Sequence, residues 1–195
     1  MKITETRFPD LYVLEPKVFG DSRGFFYESY NAKYLHAAGL NYKFVQDNHS
    51  KSSFGVLRGL HYQLGQHAQT KLVRVIQGAV IDVVVDLRKG SPTFLQHFSI
   101  ELSAENNKQL LVPKGFAHGF VVLSETAEFL YKCDQFYNKE SEGGIHFADS
   151  TLNIDWGLKK EEYIVSDKDQ NNPNLDNAIF DYPFENFTES SLYAT

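Results

Sequence analysis

The sequence predicts an all-β protein, a sandwich or barrel with few helices. The stretches "KLVRVI" and "VIDVVVDLR" alternate, are rich in β-branched residues and flank a turn signal at Gly78. Beyond them, "QHFSIEL", "QLLVP", "GFVVL" and "AEFLYKCDQFY" follow at short, regular spacing with turn residues between. No strand–helix alternation is seen, and no Gly-rich phosphate loop, so neither a dinucleotide fold nor a P-loop is supported.

From the start of the chain, "MKITETRFPD" lacks the apolar core of a signal peptide. "NAKYLHAAGL" predicts one helix, with Asn31 as N-cap, Tyr34, Leu35 and Ala38 on one side, and Gly39 as its end. "GVLRGLHYQ" (55–63) reads as sheet core that carries an Arg and a His among apolar residues. Asn106–Asn107 marks a turn, and Pro113 and Gly115 suit a bend between strands. After Trp156 the chain turns polar, and "KKEEYIVSDKDQNNPNLDNAIF" predicts a short helix or turn followed by a loop. The last residues, 185–195, read as a frayed or partner-contacting tail. With 195 residues and no repeat or linker, residues 1–195 are expected to form one domain.

Net charge is −6, which argues against a general binder of nucleic acid or membrane surface. The longest apolar run, "AVIDVVVDL", is broken by Asp82 and falls short of a membrane span. The single cysteine, Cys133, excludes an internal disulfide framework and a multi-cysteine zinc site, and a cytoplasmic protein is expected. Between Asp47 and Asp82 there is no acid over 34 positions, where 25 acids in 195 residues would place about four. That stretch holds Lys51, Arg58, Lys71 and Arg74 with His49, His61 and His67, a basic island that suits a small anionic ligand.

Ionisable groups inside a sheet are costly unless paired or employed. Alone, His61 would read as a core histidine satisfied by a carbonyl, but Arg58 and Lys71 are placed to converge on it. In a regular strand residues 58 and 61 face opposite sides; a bulge at Gly59 would turn both to one cavity. Lys71 shares a face with Val73 and Val75, and Tyr131 with Phe129 and Cys133, so both side chains are expected to point inward. "PKGFAHGF" (113–120) resembles the second motif of cupins, the double-stranded β-helix fold, in whose metal-binding members the histidine, here His118, is a ligand. The companion motif would need His-x-His; "GLHYQ" has Gln63 at the second position, which supports the fold and argues against a metal. "SDKDQNNP" (166–173) reads as a solvated loop. It carries Asp169, a carboxylate able to orient a histidine, although spacing alone does not bring it to His61.

Taken together, "DSRGFFYES" (21–29), "FVQDNHSKSSFGVLRGLHYQ" (44–63), "KLVRVIQGAVIDVVVDLRKGSPTF" (71–94), "LSAENNKQLLVPKGFAHGF" (102–120), "YKCDQFYNKESEGGI" (131–145) and "SDKDQ" (166–170) closely resemble the dTDP-4-dehydrorhamnose 3,5-epimerase family. The resemblance implies a cupin jelly roll with a few short peripheral helices, a homodimer, no metal and no dissociable cofactor. It implies a dTDP-4-keto-6-deoxyhexose substrate, with His61 as base, Asp169 orienting it, Tyr131 as acid on the opposite sugar face and Lys71 near the C4 carbonyl oxygen. Arg58 would contact the sugar or its phosphate. Arg23 and Glu28 would contact the nucleotide, in this subunit's site or its neighbour's, and Phe26 would stack on or wall the ligand. Gln46, Asn48, His118, Glu142 and Lys168 match further pocket positions. Two departures, Lys139 where many relatives have Pro and Phe147 near "GIHF", touch none of the acid, base or enolate stabiliser. A relative acting only at C3 or C5, a metal cupin and a non-catalytic sugar-nucleotide binding module remain as alternative readings.

Overall fold

The computed structural model describes residues 1–184; the expected C-terminal tail at 185–195 lies outside the described residues. Along the chain run β1 (Lys2–Glu5), β2 (Tyr12–Glu15), β3 (Phe19–Asp21), β4 (Gly24–Phe26), α1 (Ala32–Ala37), β5 (Gln46–Ser53), β6 (Val56–Gln63), β7 (Lys71–Gln77) and β8 (Ala79–Asp86). There follow β9 (Arg88–Lys89), β10 (His97–Ser103), β11 (Gln109–Val112), β12 (Phe116–Val122), β13 (Thr126–Cys133), β14 (Glu142–Gly144), β15 (Ile164–Val165), α2 (Asp167–Gln170) and β16 (Tyr182–Pro183). Single 3₁₀ turns occupy some of the links.

Two antiparallel sheets make the body, one ordered β1-β2-β11-β7-β13-β5 and the other β10-β8-β12-β6-β14, with β15 added parallel to β6. Side chains alternate across a strand, and the inward sets of the two sheets meet. Val73, Val75 and Phe129 of the first pack with Val80, Val84 and Phe120 of the second in one core cluster. This is the jelly-roll arrangement expected. The outer face of the second sheet is apolar too: Leu57, Leu60, Val83 and Val85 are covered by Ile145, Trp156 and Leu175 from the chain after β14. Phe147 joins that outer layer, 8% exposed, and its carbonyl accepts from Trp156 Nε1 at 3.0 Å. The first sheet is covered in part by Leu35 and Leu40, which pack on Leu14, Leu72 and Leu111.

The turns form where expected. Gly78 joins β7 to β8 with φ 74, a conformation that favours glycine, and an added Cβ there would meet the Thr126 carbonyl oxygen at 2.1 Å. Asn31 caps α1 by accepting from the Lys33 amide at 3.0 Å. The expected buried side of α1 is narrower than predicted. Leu35 is buried, whereas Tyr34 is 41% exposed and Ala38 is exposed, because a helix of six residues presents one anchor to the sheet rather than a stripe. The run "SDKDQ" is not a loop: Ser166 Oγ caps α2 by accepting from the Asp169 amide at 3.2 Å.

At the end of β8, Asp86 is fully buried and accepts from Arg88 Nε at 2.9 Å, Ser91 Oγ at 2.6 Å and Thr93 Oγ1 at 2.7 Å. Burial pushes its carboxyl up, but these hydrogen bonds prevail and hold it below the usual carboxylate range.

Candidate active site

β6 has inward residues Val56 and Arg58 before Gly59, and His61 and Gln63 after it, while Leu57, Leu60 and Tyr62 belong to the outer layer. The pairing with β12 gives the reason. His118 stands opposite His61 and Phe120 opposite Arg58, so the register shifts within that interval and one extra residue is accommodated at Gly59. Gly59 has φ 136, and a Cβ there would lie 2.6 Å from Gly119 Cα, so glycine meets both demands. The expected bulge is present, and it turns Arg58 and His61 to one side.

That side is a cavity of about 390 Å³ between the sheets, lined by Arg58, His61, Lys71, His118, Tyr131 and Asp169 among others, including Asn48 and Lys168. His61 Nε2 lies 2.6 Å from Asp169 Oδ1, a contact across 108 residues of sequence. Asp169 Oδ2 accepts from the Gly59 amide at 3.2 Å, so both carboxylate oxygens are engaged. Burial pushes this carboxyl up, yet the His61 hydrogen bond and charge outweigh it and hold it below its ordinary value. An ionised carboxylate requires a proton on His61 Nε2, and in the neutral imidazole the lone pair is then on Nδ1.

Lys71 and Tyr131 come from adjacent strands of the opposite sheet, with the Lys71 ammonium 5.8 Å from the Tyr131 ring centroid. Burial pushes the lysine below its ordinary value, against the raising influence of Cys133, Asp82 and Glu142. Burial pushes the Tyr131 phenol up, so it keeps its proton at neutral pH. Arg58 is steadied from Ser52, whose Oγ accepts from Nε at 3.2 Å and Nη2 at 3.1 Å.

His118 is buried at the cavity wall with Nε2 2.8 Å from Asp82 Oδ2. Asp82 lies outside the expected set of site residues, and the signal for it in the sequence is an acid in the middle of a β-branched strand. It is fully buried and its other oxygen has no hydrogen-bond partner among the described residues. The cupin histidine is thus paired with a carboxylate. Gln63 is engaged with the backbone of Asn138, and no group of three or more His, Cys, Asp or Glu side chains among the described residues is arranged to hold a metal.

Other expected residues stand at the mouth or outside it. Lys168 Nζ donates to Glu142 Oε1 at 2.5 Å, and Gln46 Nε2 donates to Asn48 Oδ1 at 3.1 Å. Tyr137, absent from the expected set, joins these groups: its amide donates to Gln46 at 3.1 Å and its hydroxyl to Glu142 at 3.2 Å. Arg23 and Phe26 lie away from this cavity on the exposed β3–β4 hairpin, with Arg23 paired to Asp21 and Phe26 67% exposed. Glu28 follows the hairpin and accepts from Asn31 Nδ2 at 3.0 Å. The basic island is partly dispersed: His49 and Lys51 pair with Glu128 at 3.1 and 3.2 Å, because alternation along β5 turns them outward.

Known proteins share this architecture. The family model for dTDP-4-dehydrorhamnose 3,5-epimerase matches residues 5–177. A dTDP-4-dehydrorhamnose 3,5-epimerase from Shigella flexneri is 55% identical over 172 residues, covering 88% of this chain and 94% of the relative. The crystal structure of the Elizabethkingia anophelis epimerase superposes with a TM-score of 0.86 at 59% identity, covering 90% of this chain and 97% of that one. A Legionella pneumophila epimerase, solved with dTDP-4-keto-L-rhamnose, gives a TM-score of 0.88 at 49% identity over 94% of this chain and 98% of that one. The chain therefore belongs to the dTDP-4-dehydrorhamnose 3,5-epimerase family.

Proposed function

We propose that this protein is an isomerase that inverts C3 and C5 of dTDP-4-dehydro-6-deoxy-D-glucose through enolate intermediates. The product is dTDP-4-dehydro-L-rhamnose, and the step belongs to dTDP-L-rhamnose biosynthesis. One observation carries the reading: a carboxylate-oriented histidine, a protonated phenol and a half-buried lysine open on a single cavity.

Both hydrogens to be removed are α to the C4 ketone. His61 Nδ1 takes the proton, and the electron pair moves through the C3–C4 or C4–C5 bond onto the carbonyl oxygen. The Lys71 ammonium stabilises the enolate oxygen as charge develops on it, in surroundings where few water dipoles compete. Tyr131 then delivers its proton to the opposite face of the carbon, and the pair collapses back to the ketone in the inverted configuration. His61 returns its proton to solvent, and Tyr131 recovers one from it. Arg58, Lys168 and His118 would hold the sugar and diphosphate, with the guanidinium forked for phosphate oxygens. Asn48, Gln46 and Glu142 would complete the ligand's surroundings.

Residues 1–195 form one cupin-like epimerase domain in this reading, and the active unit is a homodimer. The β3–β4 hairpin carries Phe19, Phe25 and Phe26 at 55%, 70% and 67% exposed, an apolar surface suited to a second copy. Through that contact Arg23, Phe26 and Glu28 would reach the nucleotide in the neighbour's site. A cytoplasmic location accompanies the reading, and Cys133 is a buried free thiol. Among the described residues no helix is long and apolar enough to cross a membrane.

Proton NMR of dTDP-4-keto-6-deoxyglucose with the metal-stripped protein in D₂O tests the proposal. Deuterium at both C3 and C5 is expected. Label at one carbon would assign a single-site epimerase instead, and binding without exchange would leave a sugar-nucleotide binding module.

A further inference from the structure

Gln63 lies two residues beyond His61 on β6 and is 5% exposed. A buried primary amide is costly unless its donor and acceptor are both used. Here Nε2 donates to the Asn138 carbonyl at 2.8 Å and Oε1 accepts from the Asn138 amide at 2.8 Å. The side chain thereby mimics one rung of a β-ladder and pins the backbone of a segment that has left the sheet.

The constraint is passed on. Asn138 Oδ1 accepts from the amides of Glu140 and Ser141 at 2.9 and 3.1 Å, closing a turn that returns Glu142 to a position opposite Gln63 on β14. Tyr137, next to the pinned residue, bonds to Gln46 on one side of the mouth and to Glu142 on the other. Glu142 in turn holds Lys168, a cation on the cavity wall. Gln63 itself does not line the cavity that holds His61, Lys71 and Tyr131.

We propose that Gln63 is a positioning residue for the anionic, nucleotide end of the ligand: by clamping Asn138 it fixes the 137–142 segment, and through Glu142 it fixes Lys168. This rests on the functional reading above. It assigns Gln63 to affinity and leaves the proton transfers to other groups.

Gln63→Met keeps the volume and removes both hydrogen-bonding groups. KM for the sugar nucleotide, and Kd for dTDP measured by calorimetry, should each rise about tenfold, the order expected when two buried hydrogen bonds are lost. kcat should stay within about twofold, with deuterium still entering C3 and C5 at saturating substrate. Unchanged KM and Kd overturn the proposal even if Tm falls, since a purely structural clamp would lower only the latter. A lower kcat at constant KM overturns it as well. Should the variant not fold, amide exchange in the parent protein decides: the Asn138 amide must be protected, and exchange at the rate of an unstructured peptide refutes the clamp. If the parent binds dTDP but turns nothing over, the epimerase reading fails, while a Gln63-dependent Kd would still uphold this one.

Discussion

Asp169→Asn is nearly isosteric, yet it should slow catalysis by about 10²- to 10⁴-fold. Asp169 accepts at both oxygens, from His61 Nε2 at 2.6 Å and from the Gly59 amide at 3.2 Å. Asparagine offers one acceptor and one donor. If its NH₂ faces Gly59, two buried donors oppose each other at a cost of about 1–3 kcal/mol. If it faces His61, the imidazole must accept at Nε2 and carry its proton on Nδ1, which removes the lone pair that acts as base. Either placement also loses the charge-assisted bond to the imidazolium that forms on proton abstraction, worth about 1.5–3 kcal/mol. The combined loss of about 2.5–6 kcal/mol spans the predicted slowing. Because the lost interaction strengthens only as His61 becomes charged, kcat should fall with little change in KM. The assay is the initial rate of solvent deuterium entry at C3 and C5 by proton NMR, at saturating substrate. Both positions should slow together, since one base serves both. A rate within about fivefold of the parent, or slowing at one carbon alone, would refute the reasoning.

Three further outcomes follow from the same geometry. Tyr131→Phe should still allow proton removal but impair inversion, most visibly at C5, and an unchanged product ratio by NMR would move the acid elsewhere. Lys71→Met should lower kcat by about 10²- to 10³-fold; because burial lowers this lysine's pKa, the alkaline limb of kcat should begin below the ordinary value of about 10.4. In Lys71→Arg that limb should vanish from the profile, and a limb left in place would assign it to another group. Asp86→Asn takes from Arg88, 6% exposed, one of its two carboxylate partners, with Asp10 remaining at 2.8 Å, and should destabilise the fold by about 1–3 kcal/mol in urea unfolding. Asp86 has a depressed folded pKa, so its contribution is present in full above the unfolded value near 3.9 and is lost as pH falls through the folded value. The parent's advantage over the variant should therefore shrink below about pH 4, and a difference constant with pH would contradict the assignment.

What could be read from the chain, and what could not, divides by the range of the interaction. The β-branched strands, the Asn31 cap, the Gly78 turn and the inward faces of Lys71 and Tyr131 depend on neighbours a few residues away, and each is where the local pattern points. Even the Gly59 bulge was legible, because two ionisable side chains on opposite strand faces needed a reason to meet. The His61–Asp169 contact spans 108 residues, and only the family resemblance pointed to it. Asp82 and His118 are 36 residues apart and meet because β8 and β12 pair, a fact of topology with no trace in spacing. The strands β1 to β4 have three or four residues each, too few for alternation to register, so the exposed hairpin bearing Arg23 and Phe26 was invisible as structure.

The bulge in β6 makes the active site a matter of phase. Even-numbered residues face the inside of the sandwich before Gly59 and odd-numbered ones after it, so the strand is read in two frames. A change that brought the second half back into step would send His61 and Gln63 into the outer apolar layer and present Leu60 and Tyr62 to the sugar. Such a protein could keep both sheets and most of its core, and yet have no base. Foldability in this chain is spread over dozens of buried side chains, whereas catalytic competence hangs on a single backbone offset that one methyl group would disturb.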